Sequence, residues 1–318
     1  MSNNLPLVTI IAACYNHEKY VLECLNAIKN QTYKNIELII TDDYSTDSSV
    51  TIINSWIEET GHVCTFISHD LNLGFPKTLN EALDNANGKY ISIISTDDYW
   101  YPEFIEKRVR LFEESDDSVG VIYGKTYTID EKGNRLPEVR PITSEPPEGY
   151  VLHDLLLGCF IIAPTAMIRK SCYGKVGLYD ETLSIEDYDM WLRIARYYRF
   201  KFCPEILTNY RISPSSFTFA RNEDLRISVA KIFIKQLNLI GGDITYQEAI
   251  DNKLIIYRHT LFKIKEPLAR KYIRLSIIRK INKSDIFMYI CSLLGLSYTF
   301  YQKISAWKNN HLNFNINN

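Results

Sequence analysis

Residues 8–49 read VTIIAACYNHEKYVLECLNAIKNQTYKNIELIITDDYSTDSS, and this stretch decides the fold class. Two apolar runs rich in β-branched residues, Val8–Ala12 and Ile36–Thr41, have the length and composition of buried strands. Between them, apolar residues recur at helical spacing on one face: Val21, Cys24, Leu25 and Ile28. This order predicts two parallel strands with the helix packed against them.

The same alternation continues as far as residue 123. Further strands are predicted at Cys64–Ser68, Tyr90–Ile94 and Val119–Tyr123. The helices between them present two more apolar faces, the second ending at Gly88: Val50, Ile53 and Ile57, then Leu79, Ala82, Leu83 and Ala86. We therefore expect an α/β fold with a mostly parallel, Rossmann-like sheet flanked by helices.

Beyond residue 123 the pattern is less regular. Thr126–Tyr150 contains Gly133-Asn134 and four prolines, which indicates a hairpin or a flexible excursion over the sheet. The predicted main domain, residues 1–220, ends with one helix, Tyr188–Tyr198, and three strands, Phe160–Ile168, Phe200–Cys203 and Leu207–Ile212. Residues 221–318 have a helical pattern, and their most apolar stretch, Ile286–Tyr301, is too short to span a bilayer.

Composition indicates a globular protein of a reducing compartment. Of the 318 residues, 46% are hydrophobic and 23% are charged. The seven cysteines are scattered, without CxxC pairs or His clusters, so we expect a cytoplasmic protein without zinc. No Lys or Arg precedes the first apolar run, which we interpret as a strand rather than a secretion signal.

Pairs of aspartates follow two of the predicted strands. Asp42-Asp43 follows the second strand, and Ser95-Thr96-Asp97-Asp98 follows the fourth. Ligands of open α/β sheets bind outside the carboxyl ends of the strands, where these side chains and Cys14-Tyr15-Asn16 should meet. Capping of helices and turns is the alternative explanation for the aspartates, and we favour it for Asp47.

Carboxylates that lie close together repel one another unless a positive charge is nearby. Two unit charges about 4 Å apart repel by about 4 kcal/mol at an effective dielectric near 20. Because neither cluster contains a basic residue, a divalent cation that bridges the carboxylates to a diphosphate is the expected partner.

Three stretches in order resemble family two of the glycosyltransferases, which has the GT-A nucleotide-sugar fold. They are residues 8–49 above, NLGFPKTLNEALDNANGKYISIISTDDYWYPE (72–103) and LSIEDYDMWLRIA (183–195). The resemblance implies a GT-A mixed sheet with a C-terminal helical extension. It also implies a metal-dependent, inverting enzyme that uses Mn²⁺ or Mg²⁺ and transfers a hexose or N-acetylhexosamine. The implied donor is a UDP-sugar, or else a dTDP- or GDP-sugar, and the acceptor a saccharide or lipid-linked saccharide in surface polysaccharide synthesis.

The resemblance also implies roles for individual residues. Ala13 and Tyr15 would border the nucleotide, Asp42 would accept a hydrogen bond from the base, and Lys77 would lie near the nucleotide. Asp97 and Asp98 would form the metal-binding motif, with Asp98 as the direct ligand and Asp97 also beside the nucleotide. Asp187, rather than its neighbour Glu186, would be the general base that deprotonates the acceptor hydroxyl.

Some of these residues have simpler explanations. The family often has Asp-x-Asp-Asp where this chain has Ser95 first, so one carboxylate is missing and weaker metal affinity is expected. A predicted helix begins with Glu186, Asp187 and Asp189. Each of these acidic side chains would stabilise the helix by about 0.3–1 kcal/mol through its interaction with the helix dipole. Tyr99–Tyr101 are expected to line the donor pocket and Trp191 to lie in the core, and neither His69 nor His153 is given a role.

Charge is distributed unevenly along the chain. Net charge is −2, but from Lys253 to the end twelve Lys and Arg oppose two acidic residues. In Arg270–Lys283 basic residues alternate with five apolar ones, Ile273, Leu275, Ile277, Ile278 and Ile281. This pattern is compatible with peripheral contact to an anionic membrane or with a solvated face of packed helices. The acidic remainder and the lack of a recognised motif argue against nucleic acid.

Other function classes fit the sequence less well. A nucleotidyltransferase should carry a phosphate loop rich in Gly and Lys or Arg after the first strand, where this chain has Cys14–Glu18. A binding module with a nucleotide pocket but no chemistry is supported only by Ser95. No GxGxxG follows the first strand, which disfavours a nicotinamide dehydrogenase.

Overall fold

The computed structural model describes residues 5–141, 145–212, 222–240 and 243–312. The chain divides into two compact units, residues 1–220 and 221–318. The passage between them falls within residues 213–221, outside the described ranges, so the predicted domain boundary stays a prediction.

The first unit contains short strands and helices in alternation. Its strands are β1 (Val8–Cys14), β2 (Ile36–Asp42), β3 (Thr65–Ser68), β4 (Tyr90–Ser95), β5 (Tyr99–Trp100), β6 (Val119–Gly124), β7 (Thr126–Ile129), β8 (Arg135–Arg140), β9 (Met167–Arg169), β10 (Arg199–Cys203) and β11 (Thr208–Arg211). Its helices are α1 (Val21–Lys29), α2 (Ser49–Thr60), α3 (Phe75–Asn85), α4 (Phe104–Glu113), α5 (Leu152–Leu157), α6 (Ser171–Val176) and α7 (Glu186–Ile194).

The main sheet has the strand order β10-β6-β9-β4-β1-β2-β3. Neighbouring strands from β4 to β3 are parallel, as are β6 and β10, whereas β9 runs antiparallel to both of its neighbours. All seven residues of β1 are buried, as expected for a central strand covered on both faces. The predicted inner face of α1, which begins at Val21, is buried as well. The predicted mixed sheet with flanking helices is therefore confirmed.

A second sheet has the order β5-β11-β7-β8. Strands β7 and β8 form an antiparallel hairpin, so the hairpin predicted within Thr126–Tyr150 is confirmed up to Arg140. The hairpin belongs to this second sheet, in which β7 pairs with β11. Part of the predicted excursion, residues 142–144, lies outside the described residues.

Two predicted elements need correction. Of the predicted strand Phe160–Ile168, only Met167 and Ile168 are in a strand, because Pro164 lies in a 3-10 helix (Ala163–Thr165) and has no N–H for a central ladder. The predicted helix Tyr188–Tyr198 begins at Glu186 and ends at Ile194, and Tyr197, beyond its end, is 53% exposed.

The second unit is helical in its described part. Its helices are α8 (Asn222–Leu237), α9 (Ile244–Ile256), α10 (Arg258–Lys263), α11 (Ala269–Arg279), α12 (Lys283–Leu293) and α13 (Tyr298–Leu312). Within the described ranges, none of the helices combines the length and apolarity needed to cross a bilayer.

Candidate active site

The central strand β1 brings the predicted strand-end residues together. Cys14 is in register with Asp42 at the end of β2, and Ala13 is in register with Ser95 at the end of β4. The backbone N–H of Asp43 donates to the carbonyl of Cys14 (3.0 Å). The loops that carry Tyr15, Asp43 and Asp97 therefore leave one edge of the sheet side by side, as the sequence predicts.

Asp42 is fully buried, and both of its oxygens accept hydrogen bonds from the following turn. The backbone N–H of Ser45 donates to Oδ1 (2.8 Å), and the Ser45 hydroxyl donates to Oδ2 (2.5 Å). Tyr44, inside this turn, has a φ of 68°, an uncommon conformation for a residue with a side chain. Asp42 thus shapes the turn, and each of its buried oxygens keeps an unused lone pair.

Asp43 fastens a second loop to the same edge. Its Oδ1 accepts from the backbone N–H of Leu73 (2.7 Å) and its Oδ2 from that of Gly74 (2.9 Å), the residue before α3. His69 bridges Asp43 (Nδ1–Oδ1, 3.1 Å) and Glu81 (Nε2–Oε2, 2.8 Å). The sequence analysis gave His69 no role, whereas the structure places it in the clamp that fixes this loop.

Lys77 lies in the first turn of α3, directly after the loop that Asp43 holds. Its side chain is exposed. Tyr15, at the end of β1, is also 47% exposed, whereas Ala13 is buried between β2 and β4. Tyr15 and Lys77 are therefore accessible to a ligand at this edge of the sheet, and Ala13 can contribute mainly its backbone.

Asp97 and Asp98 differ in exposure. Asp98 is almost fully buried, and its Oδ1 accepts from the backbone N–H of Arg211 (2.7 Å). Burial raises the pKa of Asp98 well above its ordinary value, the charge of Asp97 adds to this, and the Arg211 N–H opposes it. The Asp97 side chain is 24% exposed. The more accessible carboxylate is therefore Asp97, whereas the family resemblance implies Asp98 as the direct ligand.

Basic side chains from distant parts of the chain lie near the two aspartates. The buried guanidinium of Arg211 donates to the backbone carbonyl of Asp97 (Nε, 2.8 Å) and to Glu23 (Nη2, 2.7 Å). His17 lies beside Asp97 (Nε2–Oδ2, 3.9 Å) and shares a hydrogen bond with Thr96 (Nδ1–Oγ1, 2.9 Å). Arg211 therefore supplies positive charge that the residues neighbouring the aspartates in sequence could not indicate.

Among the described residues, no group of three or more His, Cys, Asp and Glu side chains lies close enough to hold a metal by itself. Asp97 and Asp98 nevertheless offer hard carboxylate oxygens, and Asp97 is partly accessible. Mg²⁺ and similar ions are often held by one or two carboxylates together with substrate phosphates and water. This donor set therefore fits a divalent cation that arrives with a diphosphate.

Glu186 and Asp187 begin α7 in a largely desolvated environment. Burial raises the pKa of Asp187 above its ordinary value, and the backbone N–H of Tyr188, which donates to Oδ1 (2.7 Å), opposes this. Burial also raises the pKa of Glu186, and the charge of Asp187 raises it further. A carboxylate with a raised pKa is a stronger base once ionised, which suits proton abstraction.

Asp189, the third acidic residue of the first turn of α7, is fully buried and forms an ion pair with Arg193 (2.8 Å). Arg193 also donates to the carbonyls of Val176 and Leu178. Asp189 therefore anchors α7 to the segment that follows α6.

The aromatic residues after the metal motif do not act as one surface. Trp100 is buried, stacks on Phe104 and donates to the carbonyl of Pro164 (2.7 Å), so its predicted place in the donor pocket is wrong. Tyr101 accepts a hydrogen bond from Arg135 on β8 (2.6 Å). Trp191 lies in the core, as predicted.

Comparisons with known proteins agree on the family. The family model "Glycosyl transferase family 2" matches residues 9–177. An uncharacterized glycosyltransferase of Rickettsia typhi is 32% identical over 220 residues, which cover 67% of this chain and 66% of that protein's length.

Two solved structures share the fold. S. aureus TarS 1–349 in complex with UDP-GlcNAc has a TM-score of 0.61 at 17% identity and covers 91% of this chain and 92% of its own. The mannosyltransferase PcManGT of Pyrobaculum calidifontis, in complex with GDP-Man and Mn²⁺, has a TM-score of 0.59 at 17% identity. The match covers 96% of this chain and 88% of the PcManGT chain. The match of the family model to more than half of the chain, together with this relative, shows that the chain belongs to glycosyl transferase family 2.

Proposed function

We propose that the protein is an inverting glycosyltransferase that moves a hexose or N-acetylhexosamine from a nucleoside-diphosphate sugar to a saccharide or lipid-linked saccharide. The observation that carries the proposal is the meeting of Tyr15, Asp42 and Asp97 at one edge of the sheet, with Tyr15 and Asp97 accessible. Family membership supports the reaction class. A UDP-sugar is the first donor to test because TarS, which has the same fold, is known in complex with UDP-GlcNAc.

The donor would bind through its nucleotide and diphosphate. We assign Tyr15 and the backbone of Ala13 to the border of the nucleotide, Asp42 to the base and Lys77 to the nucleotide's surroundings. The loop between β3 and α3, fixed by Asp43 and His69, supports this side of the site.

Asp97 and Asp98 would hold Mn²⁺ or Mg²⁺, with Asp97 as the more accessible ligand and Asp98 behind it. When bound, the cation would stabilise the negative charge that develops on the departing diphosphate. Arg211 keeps the two aspartates in place from behind through its contacts with both.

Asp187 would act on the acceptor. Its carboxylate takes the proton of the acceptor hydroxyl while that oxygen forms a bond to the anomeric carbon. The bond from this carbon to the diphosphate oxygen breaks, and the nucleoside diphosphate leaves with the electron pair. One displacement of this kind inverts the anomeric configuration. Glu186, with its own raised pKa, is the neighbouring candidate for the proton acceptor.

The proposal is tested by ligand-dependent thermal stability followed by a transfer assay. Purified protein is heated with UDP, dTDP or GDP, each with Mn²⁺ and again with EDTA. A ligand at about 100 times its dissociation constant adds about 2.7 kcal/mol. A shift with one nucleotide that disappears in EDTA supports the metal-diphosphate site and chooses the donor. No shift with any of them contradicts it.

The transfer assay distinguishes a glycosyltransferase from a module that binds the nucleotide-sugar without chemistry. With the chosen nucleotide-sugar, a glycosyltransferase releases nucleoside diphosphate, slowly to water and faster to a suitable acceptor. Binding without any release would favour the module.

We further propose a cytoplasmic place in surface polysaccharide synthesis, with residues 1–220 as the catalytic domain and the basic helices of residues 221–318 in peripheral contact with a membrane.

A further inference from the structure

One side of α12 and of the residue after it is apolar and exposed. Ile286, Ile290, Leu293 and Leu294 follow one another at spacings that place them on one side of a helix. Their exposed fractions are 38%, 46%, 55% and 68%, rising toward the end of the helix. These four residues are called the α12 stripe below. Single exposed apolar residues are common, but a continuous row of them marks an interaction surface.

The opposite face of α12 fixes the direction of this stripe. Met288 and Cys291 are fully buried on that face. Asp285, also buried, accepts from Arg258 (Nε, 3.0 Å) and from the Ser276 hydroxyl (2.7 Å). Rotating the helix to hide the stripe would break these contacts and expose a buried carboxylate, so the stripe is held outward.

Basic residues border both ends of the stripe. Arg270 donates to the carbonyl of Ser292 (Nη2, 2.6 Å), the residue before Leu293. At the other end, the exposed Lys280 lies in the turn between α11 and α12, and the exposed Lys283 is the first residue of α12. Ile281, between them, is 80% exposed. One of only two acidic residues after Lys253 is Asp285, which is buried among its partners. The surface around the stripe is therefore apolar in the middle and positive at its ends.

We propose that the α12 stripe docks the protein on an anionic membrane surface. The four aliphatic side chains enter the boundary between headgroups and acyl chains, and Arg270, Lys280 and Lys283 contact lipid phosphates. Each basic residue close to an anionic surface contributes about a fivefold gain in partitioning, and stable peripheral binding generally needs such charge in addition to apolar contact.

The charge of the surface favours an anionic membrane over a second copy of the chain as its partner. Two copies facing each other through the stripe would bring together two surfaces with the same excess of Lys and Arg, and like charges in contact repel. Of the apolar residues in the stretch Arg270–Lys283 that the sequence pattern indicated, Ile273 is fully buried, whereas Ile278 and Ile281 are 68% and 80% exposed. This inference rests on the membrane contact in the proposed function and names the surface that makes it. Its test does not depend on sugar transfer.

The test is co-sedimentation of the full chain with vesicles. One set contains phosphatidylglycerol and phosphatidylcholine in equal parts, and the other phosphatidylcholine alone. We expect binding to the first set at about 0.1 M salt and much weaker binding at about 1 M, where the Debye length falls from about 10 Å to about 3 Å. The double variant Ile290→Glu, Leu294→Glu should bind at least about tenfold more weakly, since it removes much of the apolar contact.

The matched control is Ile244→Glu, which changes an isoleucine at the start of α9 that is even more exposed (84%) and should bind like the unchanged protein. Thermal shifts with UDP and Mn²⁺ show that each variant is folded and test the nucleotide site separately. Failure of the unchanged protein to bind anionic vesicles, or equal binding by the double variant, overturns the proposal. A dimer in solution that the double variant abolishes would overturn it too, by assigning the stripe to a second copy.

Discussion

The backbone N–H of Arg211 donates to Oδ1 of Asp98 across 2.7 Å and joins the end of β11 to the loop after β4. The guanidinium of the same residue continues the connection: Nε donates to the carbonyl of Asp97, Nη1 to that of Asp130, and Nη2 to Glu23. Because the Arg211 side chain is buried, it acts as a support behind the two aspartates and cannot itself face a donor.

Arg211→Ala should weaken both the fold and metal binding. It removes several buried hydrogen bonds and half of an ion pair whose other half, Glu23, is partly exposed, so we expect a loss of about 2–4 kcal/mol in urea unfolding. Supporting residues of metal sites typically change metal affinity by about 10–100-fold, which a Mn²⁺ titration in the presence of UDP can measure. Arg110→Ala, an exposed arginine in a surface pair, is the control and should change neither. Unchanged Mn²⁺ affinity in Arg211→Ala would remove Arg211 from the positioning role.

Asp97→Asn should reduce the part of the thermal shift that EDTA abolishes. Its carboxylate is the more accessible of the pair, and its replacement removes a charge that a divalent cation needs. We expect apparent Mn²⁺ affinity to fall at least about tenfold. Asp117→Asn changes an almost fully exposed carboxylate outside the motif and should leave the shift intact. An Asp97→Asn protein that binds Mn²⁺ normally would assign the ion to Asp98 alone.

Asp187→Asn should separate binding from transfer. A missing general base costs about 10²–10⁴-fold in rate, while the nucleotide shift should persist because the strand-end residues are untouched. Asp189→Asn is the informative comparison, since it breaks a buried ion pair with Arg193 and should lower stability by about 3–5 kcal/mol. Full transfer activity in Asp187→Asn would exclude it as the base.

The pH dependence of transfer should reflect the raised pKa of Asp187. A raised pKa means that the carboxyl group keeps its proton to higher pH, and a protonated carboxyl group cannot accept the acceptor's proton. We therefore expect kcat to rise with pH through a midpoint clearly above the ordinary Asp value of about 4. The residual activity of Asp187→Asn should lack this rise. A flat profile for the unchanged enzyme between pH 4 and pH 8 would contradict the assignment.

His69→Gln should loosen the loop before α3. It weakens the bridge between Asp43 and Glu81 and leaves Asp43 to hold the Leu73 and Gly74 N–H groups without support. A role in positioning the donor predicts a raised KM for the nucleotide-sugar with little change in kcat, the signature of lost uniform binding. His62→Gln, on a histidine packed against Trp56, provides a comparison away from the site. Equal KM values in the two variants would limit His69 to a structural role.

The gathering of the strand-end residues could be predicted from the sequence. Asp42, Asp43, Asp97 and Asp98 follow strands recognisable from composition, and the carboxyl ends of parallel strands meet at one edge of a sheet. The motif that begins at Ser95 pointed to Asp97 and Asp98 as well.

By itself, the sequence determined the alternation of strands and helices from Val8 to Ser95 and the family of the chain, because hydrophobic periodicity and short motifs are local properties. Only the tertiary structure decided that β9 runs antiparallel inside the main sheet and that β11 joins a second one. It also decided that Arg211 supports Asp98, 113 residues away, and that the α12 stripe faces outward. Such contacts depend on which surfaces the folded chain brings together, and residues far apart in sequence leave no local periodic signal of their meeting.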